Sequence, residues 1–142
     1  SGTEAGIRAI RFLDEPVEQP APVPPELATC IRQLEEYFAG TRTTFTVELL
    51  PEGTPFERRV WAHLLDIPFG ETRTYAQIAE ALGDPKTIRA VGRANGRNPI
   101  PIIIPCHRVI GSGGELVGYG GGLWRKEWLL AHEGRPTQQT LF

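Results

Sequence analysis

The sequence lacks methionine, contains only two cysteines, and has no long apolar segment or strong excess of either charge. Cys30 and Cys106 are too few and too far apart for a disulfide framework, and three scattered histidines do not complete a structural zinc site. No apolar run approaches the roughly 20 residues that a bilayer-spanning helix needs. These absences predict a soluble, unexported protein of a reducing cytosol, without a bound metal.

The charges are distributed unevenly along the 142 residues. A formal net charge of −2 argues against binding nucleic acid through the overall field of the protein. Residues 86–108 nevertheless contain five basic side chains and no Asp or Glu: Lys86, Arg89, Arg93, Arg97 and Arg108. This window has a charge of +5, which predicts one basic face, although solvated surface charge is the simpler interpretation of Arg93 and Arg97.

The first fifty residues predict two strands and one helix. Residues 6–12 and 43–49 have the alternating pattern of half-buried strands. Between them, five of the 13 prolines fall in residues 16–25 and favour an extended connector. From Pro25 to Gly40 the pattern is helical, with an apolar stripe of Leu27, Cys30, Ile31, Leu34 and Phe38. Cys30 is therefore expected to pack in the core, and residues 1–52 to form a reduced sheet domain.

Three helix starts follow in the second part of the chain. Their capping patterns are Thr54 with Glu57, Thr74 with Gln77, and Asp84 with Pro85. Gly83 separates the second helix from the third, which is expected to end near Asn95. Two short capped helices joined by a glycine turn indicate a helix-turn-helix, on which Arg89 and Arg93 share a face.

The apolar run 102–104 leads to the dipeptide Cys106-His107, and seven of the 16 glycines then fall in residues 111–122. Glycine there favours a loop whose backbone can approach a ligand closely. A last helix is expected over about 123–132, with Trp124, Trp128 and Ala131 buried, before a loose tail at 135–142.

Cys106 is the residue with the clearest chemical potential, although a free cysteine is often only a small buried hydrophobe. A thiolate is a nucleophile, and a thiol with an unperturbed pKa near ~8.5 needs an acceptor for its proton. His107 can be that acceptor, directly or through a water molecule. Neighbouring side chains of extended backbone point to opposite faces, so a direct contact between Cys106 and His107 requires a turn. Glu133 is the candidate that orients the imidazole, and a solvated helix end is the alternative interpretation of that residue.

An ordered set of motifs runs from about Thr54 to Gly134 and resembles the O6-alkylguanine-DNA alkyltransferase family. It comprises Arg89-Ala90-Val91-Gly92, Asn98-Pro99, Ile104-Pro105-Cys106-His107-Arg108-Val109-Ile110, Gly118-Tyr119-x-Gly-Gly, and Lys126-x-Trp128-Leu129-Leu130-x-His132-Glu133-Gly134. Five residues alone could match by chance, whereas this ordered set is specific.

The resemblance implies a repair protein that accepts one alkyl group from guanine O6, or more weakly from thymine O4, onto Cys106 and is then spent. It implies a relay of Glu133, His107, a water molecule and Cys106, with Asn98 shaping the turn. It calls for no metal or organic cofactor.

The resemblance also implies a way of binding DNA. The second helix of the helix-turn-helix enters the minor groove of a duplex, where Ala90 and Gly92 allow close approach and Arg93 can contact phosphate. Tyr75 crowds a phosphate during base flipping and can protonate the leaving guanine, and Arg89 fills the vacated stack. The base-pocket wall maps onto Pro101, Val109, Tyr119 and Gly120.

We therefore expect an α+β protein with a small N-terminal sheet-and-helix domain over residues 1–52, a mainly helical alkyltransferase domain over 53–134, and the tail. The family's first strand should precede Gly6 and looks absent, so the small domain is expected to be truncated. We expect a cytoplasmic monomer, in the bacterial cytosol or nucleoid. The alternatives are a non-enzymatic DNA-binding module that senses lesions or regulates transcription, and a thiol hydrolase built on Cys106, His107 and Glu133.

Overall fold

The computed structural model describes residues 2–3, 6–13, 24–114, 116, 119 and 122–134. Across these residues, short strands and five α-helices confirm the predicted α+β class. The elements are β1 (Gly2–Thr3), β2 (Gly6–Ile7), α1 (Pro25–Phe38), α2 (Pro55–Leu64), β3 (Arg73–Thr74), α3 (Tyr75–Ala81), α4 (Ile88–Gly96), β4 (Val109–Ile110) and α5 (Leu123–His132), with 3₁₀ turns at Pro85–Thr87 and Cys106–Arg108.

The N-terminal sheet differs from its sequence prediction. A strand does precede Gly6, because β1 pairs with β2 in antiparallel register. The predicted strand over 6–12 contains only β2, and residues 43–49 form no regular strand but a single parallel bridge between Ile7 and Leu49. A local reason is visible at Thr46, whose amide donates to the side chain of Gln33 at 3.0 Å instead of to a neighbouring strand.

Helix α1 occupies the predicted residues, and its inner face contains only part of the predicted stripe. Cys30 is buried as expected, whereas Phe38 of the predicted stripe is 45% exposed. Gln33 and Tyr37 take the inner positions with 1% and 0% exposure. Both are polar, and both have hydrogen-bond partners inside the protein, which removes the cost of burying them. Leu27 and Leu34 of the predicted stripe pack against the core, so a stripe defined by apolar side chains alone locates part of the inner face and misses its polar members.

The capping signals of the second part are confirmed. Thr54 and Glu57 form a reciprocal capping box before α2, and Thr74 and Gln77 form another before α3. Helix α2 packs against α4, where Trp61 is 2% exposed and donates its indole N–H to the Ala94 carbonyl at 2.8 Å. Helix α2 is therefore the support against which the helix-turn-helix pair α3 and α4 packs.

The turn between α3 and α4 forms at Gly83, which has a φ of +93°, a left-handed value that glycine adopts without steric cost. Asp84 accepts the amide of Lys86 and begins a 3₁₀ turn, so α4 proper starts three residues later than the predicted helix. The helix then continues to Gly96, close to the predicted end near Asn95.

Helix α5 has the predicted bounds, but the prediction that Trp124, Trp128 and Ala131 are buried is wrong. The two tryptophans are 64% and 48% exposed, and Ala131 is exposed as well. The buried face carries Lys126, Leu129 and Leu130 instead, and Glu133 follows it two helical turns after Lys126. Polar partners in the core fix this rotation, while Trp128 stacks on His132 at the surface with ring centroids 5.0 Å apart.

A short parallel pairing brings the two halves of the candidate site together. Arg73 and Thr74 of β3 pair with Val109 and Ile110 of β4. Tyr75, at the start of α3, consequently lies beside the turn that holds Cys106. In the described part of the chain, none of the helices has the length and apolar character needed to cross a membrane.

Candidate active site

Cys106, His107 and Arg108 form a single buried 3₁₀ turn, with 5%, 0% and 6% exposure. Pro105 precedes the turn, and the backbone amide of Cys106 donates to the Ile104 carbonyl at 2.8 Å. The apolar run before it is buried as predicted, and its first residue, Ile102, has a φ of 74°. This left-handed value is rare for a β-branched residue and indicates that the surrounding structure holds Ile102, four residues before Cys106, in a costly conformation.

Glu133 connects the end of α5 to this turn. Its Oε2 atom lies 2.7 Å from His107 Nε2, and its Oε1 atom accepts the Arg108 Nε proton at 2.7 Å. The side chain of Glu133 is 1% exposed, so the alternative of a solvated helix end is wrong. Burial alone would raise the pKa of Glu133, but the hydrogen bonds from His107 and Arg108 lower this pKa to about 2. The carboxylate is therefore charged at neutral pH.

The protonation of His107 follows from its two ring nitrogens. Burial lowers the pKa of His107, with Glu133 opposing this effect, so the imidazole is neutral at pH 7. The contact with a carboxylate assigns the single ring proton to Nε2. Nδ1 has no hydrogen-bond partner among the described protein atoms. The ring thus presents an acceptor nitrogen on the side away from Glu133.

The sulfur of Cys106 is surrounded by polar side chains rather than by hydrocarbon alone. Burial raises the pKa of the Cys106 thiol, and the neighbouring Asn98, Lys126 and Tyr119 side chains oppose that rise. The resting thiol therefore keeps its proton. The same neighbours are placed to stabilise the thiolate once a base has removed the proton.

Asn98 also shapes the backbone in front of the cysteine. Its Nδ2 atom donates to the Ile104 carbonyl at 2.8 Å, and its Oδ1 atom accepts the Ile100 amide at 2.9 Å. Tyr75 is half-buried, and its hydroxyl has its pKa raised by burial and by the nearby Cys106. A phenol with a raised pKa keeps its proton and can donate it.

Four further residues of the candidate site were missed by sequence reasoning: Tyr37, Asn95, Arg108 and Lys126. Asn95 is buried, and its Nδ2 atom donates to the Cys106 carbonyl at 3.3 Å. Arg108 was counted with the basic surface, but its guanidinium is bound to Glu133 and to the Ile67 carbonyl. Lys126 is fully buried beside Cys106, and burial lowers its pKa to about 8. The seven-residue spacing of Lys126 and Glu133 on one helix was a usable signal that the two share a face. No sequence signal marked Tyr37.

Three of the four predicted base-pocket residues lie in the part of the chain that the structure describes. Pro101 and Val109 are buried, and the half-buried Tyr119 lies near Cys106, so that burial together with this proximity raises the pKa of the Tyr119 hydroxyl. Gly120 lies outside the described residues. In the described ranges no three His, Cys, Asp or Glu side chains come together in a group that could hold a metal ion.

Helix α4 presents the predicted basic surface. Arg89 and Arg93 are exposed, as are Lys86 and Arg97 on either side of them. Ala90 and Gly92 are half-buried, and a Cβ atom added to Gly92 would meet nothing within 4 Å. The fold itself therefore gives no packing reason for glycine at this helical position, where it costs about 1 kcal/mol relative to alanine.

Comparison with known proteins supplies the family. Residues 55–135 match the 6-O-methylguanine DNA methyltransferase, DNA binding domain, and residues 1–51 match the ribonuclease-like domain of the same methyltransferases. A methylated-DNA–protein-cysteine methyltransferase of Mycolicibacterium paratuberculosis is 56% identical over 121 residues, covering 84% of this chain and 73% of the relative. One of Methanosarcina acetivorans is 61% identical over 103 residues, covering 72% and 66%. The crystal structure of Mycobacterium tuberculosis OGT in complex with DNA superposes with a TM-score of 0.85 at 48% identity, covering 100% of this chain and 90% of the other.

Proposed function

The chain belongs to the 6-O-methylguanine DNA methyltransferase family, and from this premise we propose that it repairs double-stranded DNA by moving the alkyl group of O6-alkylguanine onto the sulfur of Cys106. O4-alkylthymine is the weaker substrate. The observation that carries the assignment of residues is the contact of His107 with Glu133, which joins the buried cysteine turn to α5 across 26 residues of sequence.

In the proposed reaction, His107 acts as the base. The thiol of Cys106 is protonated at rest because burial raises its pKa. His107 is neutral, and its Nδ1 atom accepts the thiol proton directly or through one water molecule, while Glu133 stabilises the resulting imidazolium. Lys126 and Asn98 stabilise the thiolate that forms.

The thiolate attacks the saturated carbon of the alkyl group. The sulfur–carbon bond forms as the bond between carbon and guanine O6 breaks, and Tyr75 donates a proton to the leaving guanine. The thiol proton passes to His107 and the guanine proton comes from Tyr75, and the His107 imidazolium then returns one proton through solvent to the Tyr75 phenolate. The products are therefore a neutral thioether and neutral guanine, with both side chains in their starting protonation states. A thioether has no carbonyl for water to attack, and the protein is therefore consumed after one transfer.

The lesion must leave the base stack before Cys106 can reach it. We assign this step to α4, which enters the minor groove with Arg89 filling the vacated stack and Arg93 contacting phosphate. Loss of stacking costs a few kcal/mol, and an inserted side chain offsets part of this cost. Pro101, Val109, Tyr119 and Gly120 are assigned to the wall of the pocket that receives the base.

The proposed organisation has a small domain over residues 1–52 and the alkyltransferase domain over residues 53–134. The tail predicted for 135–142 lies outside the described residues. We further propose that the protein works as a monomer in the cytoplasm, in the bacterial cytosol or nucleoid, where its DNA substrate lies. The reaction as written requires neither a metal nor an organic cofactor.

Stoichiometry tests the proposal. A fixed amount of protein is mixed with increasing amounts of a duplex that contains O6-methylguanine, and the restored guanine is counted. We expect a plateau at one repaired lesion per protein molecule, loss of repair in Cys106→Ser, and a normal plateau in the control Cys30→Ser. Continued turnover would instead indicate a hydrolase-like enzyme. Absence of restored guanine with the parent protein, together with equal duplex binding by the parent protein and Cys106→Ser, would indicate a DNA-binding module without chemistry.

A further inference from the structure

Tyr37 reaches the candidate relay from a distant part of the chain. It lies on α1, in the segment that matches the ribonuclease-like domain, and its side chain is completely buried. Its hydroxyl donates to Glu133 Oε2 at 2.5 Å across 96 residues of sequence. The first domain thus supplies a hydrogen bond to a residue that we assign to the chemistry of the second.

The hydroxyl shares its acceptor atom with His107. Glu133 Oε2 accepts from Tyr37 at 2.5 Å, contacts His107 Nε2 at 2.7 Å, and also accepts the Arg108 Nη2 proton at 3.0 Å. A hydrogen bond to a carboxylate oxygen stabilises part of its negative charge. The more charge Tyr37 and Arg108 compensate, the less remains to stabilise a proton on His107.

We propose that Tyr37 is a positioning residue for alkyl transfer, which fixes the Glu133 carboxylate and limits how strongly Glu133 retains a proton on the imidazole of His107. This inference rests on the role proposed above for His107 and Glu133. The first domain then contributes to the reaction through the hydrogen bond from the Tyr37 hydroxyl to Glu133 Oε2.

The position of the Tyr37 hydroxyl is well determined by its surroundings. The Tyr37 ring lies between the rings of Phe45, Phe69 and His132, with centroid separations of 4.9 to 6.2 Å. The backbone carbonyl of Tyr37 contacts His132 Nε2 at 2.6 Å. His132 is the last residue of α5 and Glu133 is its C-cap. His132 therefore holds the backbone carbonyl of Tyr37, and Glu133 holds the hydroxyl of the same tyrosine.

The sign of the expected effect follows from the groups that face the relay. They are Tyr37 from α1, His107 and Arg108 from the 3₁₀ turn, Tyr119 from the following loop, and Lys126 and His132 from α5. Tyr37→Phe removes one donor from Oε2 and leaves the others in place. The uncompensated charge on Glu133 then favours protonated His107, which raises the pKa of the base.

The experiment measures the rate of adduct formation with free O6-benzylguanine by intact mass, as a function of pH. The rate falls on the acid side as His107 becomes protonated. Because the base has a higher pKa in Tyr37→Phe, we expect the midpoint of this acid limb to move up by about half to one pH unit. The control is Gln33→Leu, which removes two part-buried hydrogen bonds between the same helix and Thr46 and leaves the contacts of Glu133 in place. Its midpoint should equal that of the parent protein.

A second variant keeps the ring packing intact. A fluorinated tyrosine at position 37 is a more acidic phenol and a stronger donor, so the midpoint should move in the opposite direction. ¹⁵N resonances of the His107 ring report the same pKa directly and in the absence of turnover. A midpoint that rises in Tyr37→Phe and falls in the fluorotyrosine protein supports the inference.

An unchanged midpoint in the fluorotyrosine protein, or equal midpoints in Tyr37→Phe and the parent protein, would overturn the role of Tyr37. Neither result would affect the assignment of the reaction, provided that the parent protein still forms its adduct on Cys106. Absence of that adduct in the parent protein would refute the proposed function itself.

Discussion

Replacing Glu133 by glutamine tests how much the relay carboxylate contributes to the fold. The variant keeps the size of the side chain but removes the charge that pairs with Arg108, and the two side chains are only 1% and 7% exposed. Breaking a buried ion pair from one side leaves the other charge uncompensated and costs about 3 to 5 kcal/mol. Since domains are stable by only about 5 to 15 kcal/mol, Glu133→Gln should remain folded but be clearly weakened.

The pH dependence of the free energy of unfolding tests the same prediction independently. The pKa of Glu133 falls from 4.5 to about 2 on folding. A carboxyl with a depressed pKa stabilises the folded state at pH values above its unfolded pKa, and it loses that contribution as the pH falls towards its folded pKa. For Glu133 the contribution is about 3 kcal/mol. Glutamine cannot titrate. The stability difference between the parent protein and Glu133→Gln should therefore shrink as the pH falls from about 5 to about 2.

Urea unfolding at neutral and acid pH measures both effects. Glu127→Gln is the matched control, because it removes the same charge from a half-buried position of α5, and it should change the free energy of unfolding by less than about 0.5 kcal/mol. A loss below about 1 kcal/mol in Glu133→Gln at pH 7, or a loss that does not vary with pH, would refute the reasoning from the buried ion pair.

Three further predictions concern DNA binding and the thiol. Gly92→Ala should raise the free energy of unfolding by up to about 1 kcal/mol and should weaken the affinity for duplex DNA. Tighter binding by this variant would contradict the proposal that Gly92 allows a close approach to DNA. Arg89→Ala should slow repair of a duplex by about tenfold or more and the reaction with free O6-benzylguanine far less, whereas equal losses would argue against stack filling. Lys126→Met should raise the pKa of the Cys106 thiol further, which the ultraviolet absorbance of the thiolate reports, and an unchanged titration would contradict the proposed charge stabilisation.

The features that sequence predicted well depend on short-range interactions. Each capping box joins residues three apart, so the pairs Thr54 with Glu57 and Thr74 with Gln77 were sufficient to locate the starts of α2 and α3. The pairing of β3 with β4 was not predicted, because two-residue strands have no recognisable alternation and are defined by a partner about 36 residues away.

The orientation of helices was predicted poorly where polar side chains are buried. Lys126 and Glu133 fix the inner face of α5, and the apolar stripe of that helix was wrong. In α1 the buried Gln33 and Tyr37 extend the inner face beyond the apolar stripe, which located only part of it. In the site, the motif around Cys106 indicated His107 and Glu133, and the structure brings these two into contact. Tyr37 could not be found from sequence, since its partner lies 96 residues away and no local pattern distinguishes it from a packing tyrosine.

The central claim is that one sulfur atom accepts the alkyl group and keeps it. The direct measurement is the intact mass of the protein after incubation with one equivalent of O6-methylguanine duplex, followed by peptide mapping of the modified residue. We predict a gain of one methyl group per molecule, located on Cys106, with Cys30 unmodified. Restored guanine together with unmodified protein, or a methyl group found on Cys30, would contradict the account.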